Sequence, residues 1–184
     1  MSPTGRRRVR ATPLERTRAL PGDEAIRGPS ASLTHAVTIR RPPAAVWPWL
    51  AQMGAGSRAG WYSYDFIDNG RRPSASRIVP KLQAIRIGTL FPARPGETKG
   101  FLVVAFRPER FLILGWPSRY GTWLVTWAFV LEPAAPGLTR LIVRNRAARG
   151  YGFHRLPMWA IGLGHFVMQR KQLLGIARRA EGSR

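Results

Sequence analysis

Cysteine is absent from this chain, which excludes a disulfide framework, a thiolate nucleophile and any Cys-ligated zinc or iron–sulfur centre. Carboxylates are scarce: nine Asp and Glu stand against thirty Lys and Arg, for a formal charge of +21. Lysine is scarcer still, since Lys81, Lys99 and Lys171 are the only three and the other 27 cations are arginines. His35, His154 and His165 are too far apart in sequence to suggest a metal site by spacing, and nothing in the motifs calls for a cofactor. No apolar run is long enough to cross a bilayer, because Arg, Gly or Pro interrupts each one. The basic run RRRVR (Arg6 to Arg10) is not followed by an apolar stretch, so no secretory or twin-arginine signal is complete and cytoplasmic residence is the expectation.

What is present is a globular composition: 184 residues, 45% of them hydrophobic, enough for one domain with a sizeable core and a tail. Residues 1–33 are rich in Arg, Pro, Ser and Thr and lack a sustained apolar period. They read as a basic, disordered tail, with a single domain over 34–182. HAVTIR (His35 to Arg40) is a short strand ended by Arg41-Pro42-Pro43. Proline is tolerated in a first helical turn, so Ala44 to Met53 follows as a helix with Val46, Trp47, Leu50 and Met53 on one face. Gly54 to Pro80 forms a long connection with one or two helical turns of its own. GAGSRAG within it is no nucleotide loop, because it follows a helix and its glycine spacing is one residue too long for GxGxxG.

After Pro80 the pattern turns to strands. AIRIGTLFPA, GFLVVAF, FLILGW, TWLVTWAFVLEP and TRLIVRN are β-prone runs separated by turn residues such as Pro95-Gly96 and Pro136-Gly137, a spacing that implies antiparallel hairpins. A closing helix spans roughly Met158 to Glu181, with Met158, Phe166, Gln169, Leu173 and Ile176 on one side, His165 at its margin, and Lys171 and Arg178 opposite. The order defines an α+β architecture with the last helix packed across one face of the sheet.

PPAAVWPWLAQMG, then GWYSYDFIDN, RIVP, TWAFVLEP and a closing FVMQRKQLLGIARRAEG, together resemble the polyketide cyclase/dehydrase-like branch of the START-related (SRPBCC) helix-grip superfamily, over about His35 to Gly182. The resemblance implies a curved antiparallel sheet wrapped around the long C-terminal helix, with an internal apolar cavity for a hydrophobic small molecule. Superfamily members include lipid carriers, hormone receptors and aromatic cyclases, and no universal catalytic triad accompanies the fold. The charge of +21 departs from the family's usual balance and leaves room for an anionic partner, a membrane surface or nucleic acid.

On that frame GWYSYDF (Gly60 to Phe66) lies at the cavity mouth, where Trp61, Tyr62 and Tyr64 can stack on a flat ligand. Asp65 is either an acid–base group with a pKa raised by burial, or a helix cap or arginine partner. Strand alternation places Trp123, Val125, Trp127, Phe129 and Leu131 on one face, as a cavity wall or as ordinary packing. Trp47, on the first helix, joins the candidate lining. His165 and Gln169, one helical turn apart, can hydrogen-bond a ligand, and His165, Tyr64 and Asp65 are the candidate proton-transfer groups of a cyclase or dehydratase. TRLIVRNR places Arg140, Arg144 and Arg146 on one strand face. With Arg149, Arg170, Lys171, Arg178 and Arg179 they form a candidate basic surface, unaccompanied by a zinc-finger, helix-turn-helix or RNP motif.

Overall fold

The computed structural model describes residues 7–149 and 158–182, the last helix by its backbone alone over residues 158–163. Arg6, His154 and the side chain of Met158 lie outside that set. The elements run α1 (Pro13–Thr17), a 3-10 turn (Asp23–Ala25), β1 (Ala31–Ile39), α2 (Pro43–Ala51), α3 (Asp65–Asp68), a second 3-10 turn (Pro80–Leu82), β2 (Leu90–Pro92), β3 (Gly100–Arg107), β4 (Phe111–Pro117), β5 (Trp123–Ala135), β6 (Leu138–Ala147) and α4 (Met158–Gly182). All six strands pair antiparallel in one sheet of order β1-β6-β5-β4-β3-β2, which places β1 beside β6 and leaves β2 at the far edge. Register shifts in the β3–β4, β4–β5 and β5–β6 ladders bend the sheet, because an unpaired extra residue increases local twist. With α4 laid against the concave face, this is the helix-grip fold.

Side chains alternate between two faces, and both are covered. Val37, Ile39, Leu112, Phe129, Leu131, Leu141 and Val143 face inward, packed with Val46, Trp49 and Leu50 of α2 and Leu173, Ile176 and Ala177 of α4. Ala36, Val130 and Ile142 face the other way, against Ala11 and Leu20. Burial from both sides explains why β5 and β6 carry consecutive buried residues, Phe129 to Leu131 and Leu141 to Arg144, instead of an apolar–polar alternation.

The cover on the outer face corrects the reading of residues 7–33 as a tail. Thr12 caps α1 reciprocally with Glu15: its hydroxyl accepts from the Glu15 N–H at 3.1 Å, while the Glu15 carboxylate accepts from the Thr12 N–H at 2.7 Å. Arg140, Arg144 and Arg146, expected to form a basic surface, point into this segment instead. Arg140 pairs with Glu15, while Arg144 and Arg146 both pair with Asp23. Composition missed the docking because it rests on caps and ion pairs rather than on an apolar stripe.

Two further expectations shift. AIRIGTLFPA yields only the three-residue β2, since Arg86 to Thr89 closes as a turn. In α2 the buried tryptophan is Trp49, with Val46, Leu50 and Met53 at the proper helical spacing, whereas Trp47 is only half-buried. α2 ends at Ala51, ahead of the glycine-rich segment. Arg58 folds back to donate to the carbonyls of Met53 (2.5 Å) and Ala51, and its guanidinium lies 4.1 Å above the Phe91 ring. Burial brings its pKa down to about 10, so the charge is retained.

Candidate functional site

Between α4, the 61–68 segment and the inner face of the sheet lies a cavity of about 300 Å³. Its aromatic wall is Trp61, Phe101 and Trp127. The two indoles stack at 5.3 Å and 19°, and the Phe101 ring sits 6.0 Å from Trp61 and 5.4 Å from Trp127. Trp61 is held by its indole N–H, which donates to the Pro92 carbonyl at 3.1 Å. Gln169 forms part of the lining through a closed amide chain. Its carbonyl accepts from Trp127 Nε1 (3.1 Å) and Asn145 Nδ2 (3.2 Å), and its NH₂ donates to Gln172 (2.7 Å). Gln169 therefore orients the wall; its carbonyl has already taken two donors.

His165 also lines this cavity, and its ring stacks on His35 of β1 at 5.6 Å and 29°. Burial, with the neighbouring His35, lowers its pKa to about 4, and burial lowers that of His35 as well, so both imidazoles are neutral near pH 7. His165 Nδ1 is buried without a hydrogen-bond partner.

The residue that sequence reasoning missed is Asp68, the last of α3. It lines the same cavity, and one of its carboxylate oxygens is buried with no partner. Burial, and then the charge of Asp65, push its pKa up to about 6. The folded state thus holds this proton more tightly than the unfolded chain. The ionised form costs stability above about pH 6, and that cost fades as pH falls through 6 toward the ordinary Asp value. A carboxylate kept at such a cost in an aromatic cavity is a functional signal. The only hint in the sequence is a second acid within GWYSYDFIDN.

The other candidates separate. Asp65 opens α3 and spends its carboxylate on the loop, accepting from the Ser74 N–H at 3.0 Å and the Ser74 hydroxyl at 2.5 Å. Tyr64 turns away from the cavity to an open basic groove, where Lys171 Nζ lies 5.5 Å from its ring. Tyr62 is buried beside Trp49 at 5.9 Å, beneath the Arg179 guanidinium at 4.6 Å, and burial pushes its phenol well above the ordinary range. Phe129 is core beneath Trp127, at 5.1 Å. Trp47 stacks on Phe106 at 6.2 Å and is not among the cavity's lining residues. Trp123 leaves the expected face. The β4–β5 register shift between Trp116 and Pro117 breaks the alternation, so its indole covers Gly115, which pairs with Thr126 on the side opposite Trp127. Phe166, expected on the buried stripe of α4, is 40% exposed, although its ring approaches His35 at 5.7 Å. Of the three proposed proton-transfer groups, only His165 reaches the cavity.

An α+β helix-grip protein with a cavity beneath its C-terminal helix is the class that these observations define. No protein-family model matches the chain, and no curated protein sequence does. Solved structures do resemble it. Protein MLL2253 from Mesorhizobium loti has a TM-score of 0.50 and 16% identity, covering 84% of this chain and 99% of that one. Protein CV1439 from Chromobacterium violaceum gives 0.46 and 13%, over 83% and 98%, and Ara h 8.0201 gives 0.39 and 18%, over 83% and 95%. At such identities the likeness is one of fold. Among the described residues no helix is long and apolar enough to cross a membrane.

Proposed function

We propose that this protein binds a small hydrophobic molecule in the cavity beneath α4, as a carrier or sensor. The observation that carries the reading is the void itself. It is a partly open space of about 300 Å³, at the lower end of the range of ligand sites, and is walled by three aromatic rings. A two-ring aromatic such as methylnaphthalene suits its size. Calorimetric titration is expected to show saturable binding, and Ala93→Trp, which fills the lining from one edge, should weaken it by roughly tenfold or more with the far-UV spectrum unchanged. Undiminished binding to the filled variant would place the site elsewhere. A cyclase- or dehydratase-like reaction is the enzymatic alternative that the motif resemblance suggests. It requires acid–base groups converging on one point of the cavity, and the pair available there is His165 and Asp68.

A second reading rests on the basic groove, about 1160 Å³, on the other side of the 61–68 segment. Arg7 and Arg140 on its wall are paired with Glu181 and Glu15, but Arg8, Arg10, Arg40, Arg170, Lys171 and Arg178 make no ion pair with another described residue. Such a cluster suits an anionic surface, a membrane or a nucleic acid, and association through it must fall steeply as salt rises. Flotation with phosphatidylserine vesicles and a gel shift with single-stranded DNA test it directly. Retention of neither at low ionic strength removes this reading.

A further inference from the structure

The cavity's lining has the opposite charge bias from the rest of the chain. Among the described residues no Lys or Arg lines it, and its one charged side chain is Asp68. The amides there satisfy one another through Gln169, and His165 is neutral. Among the described residues, the fully buried side-chain polar atoms without partners on the residues lining this cavity are an Asp68 carboxylate oxygen and His165 Nδ1. A carboxylate beside Trp61, Phe101 and Trp127 supplies the two attractions that an ammonium group uses: charge-assisted hydrogen bonding and the negative faces of aromatic rings. A carboxylate ligand would find repulsion and, among the described lining residues, no cation to meet it.

Resting on the cavity-binding reading above, we infer that the ligand is a hydrophobic amine, an aromatic or alkyl body carrying an ammonium or amino group, with Asp68 as its anchor and Trp61, Phe101 and Trp127 as its walls. In such a complex the Asp68 charge, which burial makes costly in the free protein, gains its partner from the ligand. Asp68 is ionised above about pH 6 and a primary alkylamine is protonated there, so the pair forms near neutral pH.

The test is calorimetric titration of the full chain, at about pH 7.5 and about 0.3 M salt to screen surface arginines, with three ligands of one shape: naphthylmethylamine, methylnaphthalene and naphthoate. The amine is expected to bind at least about tenfold tighter than the hydrocarbon, and naphthoate weakest. Asp68→Asn should bring the amine to within about threefold of the hydrocarbon when both are titrated into the same variant. That variant loses a buried charge, so its thermal midpoint should not fall; the three-ligand series on the parent protein decides the matter regardless of how the variant folds. Equal binding of amine and hydrocarbon, or preference for naphthoate, overturns the inference and leaves the cavity reading standing. Binding of none of the three overturns both.

Discussion

Arg144→Met is expected to detach residues 7–30 from the outer face of the sheet, lower stability by about 3–5 kcal/mol and open this segment to protease. Arg144 is 3% exposed, and every one of its N–H groups is directed at a named acceptor. Nε donates to the Thr34 hydroxyl at 3.0 Å. Nη1 donates to the Arg18 carbonyl at 2.9 Å and Asp23 Oδ2 at 2.5 Å, and Nη2 to the carbonyls of Glu15 at 2.6 Å and Arg16 at 3.1 Å. Methionine conserves much of the apolar stem but takes this donor away from the carbonyls of Glu15, Arg16 and Arg18 and leaves Asp23 with only Arg146 and the Leu20 N–H. Detachment is the easier escape, so the cost is bounded by the free energy of docking, and cleavage before β1 is the more sensitive readout. At roughly 2–4 °C per kcal/mol for a chain of this size, the midpoint should drop by about 10 °C. Arg144→Lys keeps the charge but loses the planar fork, and should fall between the two. A midpoint within about 1 °C of the parent and an unchanged proteolytic pattern would show that the segment docks without this residue.

The same residues mark where the sequence was legible and where it was not. Element types along the core could be read because their signals are local: Pro43 at the first turn of α2, the run of β-branched and aromatic residues in β5, the wide apolar stripe of α4. The docked N-terminal segment could not, since its order depends on Arg140, Arg144 and Arg146, more than a hundred residues away on β6. Of the residues that line the cavity, aromatic density points to Trp61, strand alternation to Trp127, and helical spacing to His165 and Gln169. Trp123 was misplaced because a register shift is invisible to alternation counting, and Trp47 because one residue of helical phase separates it from the buried stripe through Trp49. Asp68 and Asp65 look alike in GWYSYDFIDN. Only the position of Ser74 in space decides that Asp65 is spent on the loop and Asp68 is left in the cavity.

Two glycines of α4 should respond to alanine with opposite signs. In a helix interior alanine is favoured over glycine by about 1 kcal/mol, and a methyl at Gly164 would meet none of the described residues within 4 Å, so Gly164→Ala should raise stability by up to about that amount. At Gly175 the same methyl would stand 2.3 Å from the Tyr62 carbonyl oxygen and 3.0 Å from its Cβ. Neither neighbour can yield easily. Tyr62 sits at φ +60, a left-handed conformation that a bulky residue adopts only when its surroundings impose it, and its N–H is tied to the Ser74 hydroxyl at 3.1 Å. Arg179, one turn further along α4, covers the Tyr62 ring and donates to the Ala75 carbonyl at 2.7 Å, closing the clamp from the other side. Overpacking here should outweigh the propensity gain and leave Gly175→Ala destabilised by about 2 kcal/mol, with Gly175→Val worse by about 1–2 kcal/mol more. The consequence reaches the cavity, because Gln172 and Gln169 lie on the turns of α4 just before this contact and hold the amide chain to Trp127. A helix lifted at Gly175 withdraws them, so hydrophobic-ligand affinity should fall together with the thermal midpoint, whereas Gly164→Ala should leave affinity unchanged. Stabilisation by Gly175→Ala would mean that α4 does not approach the Tyr62 backbone closely, and that the cavity has a different roof.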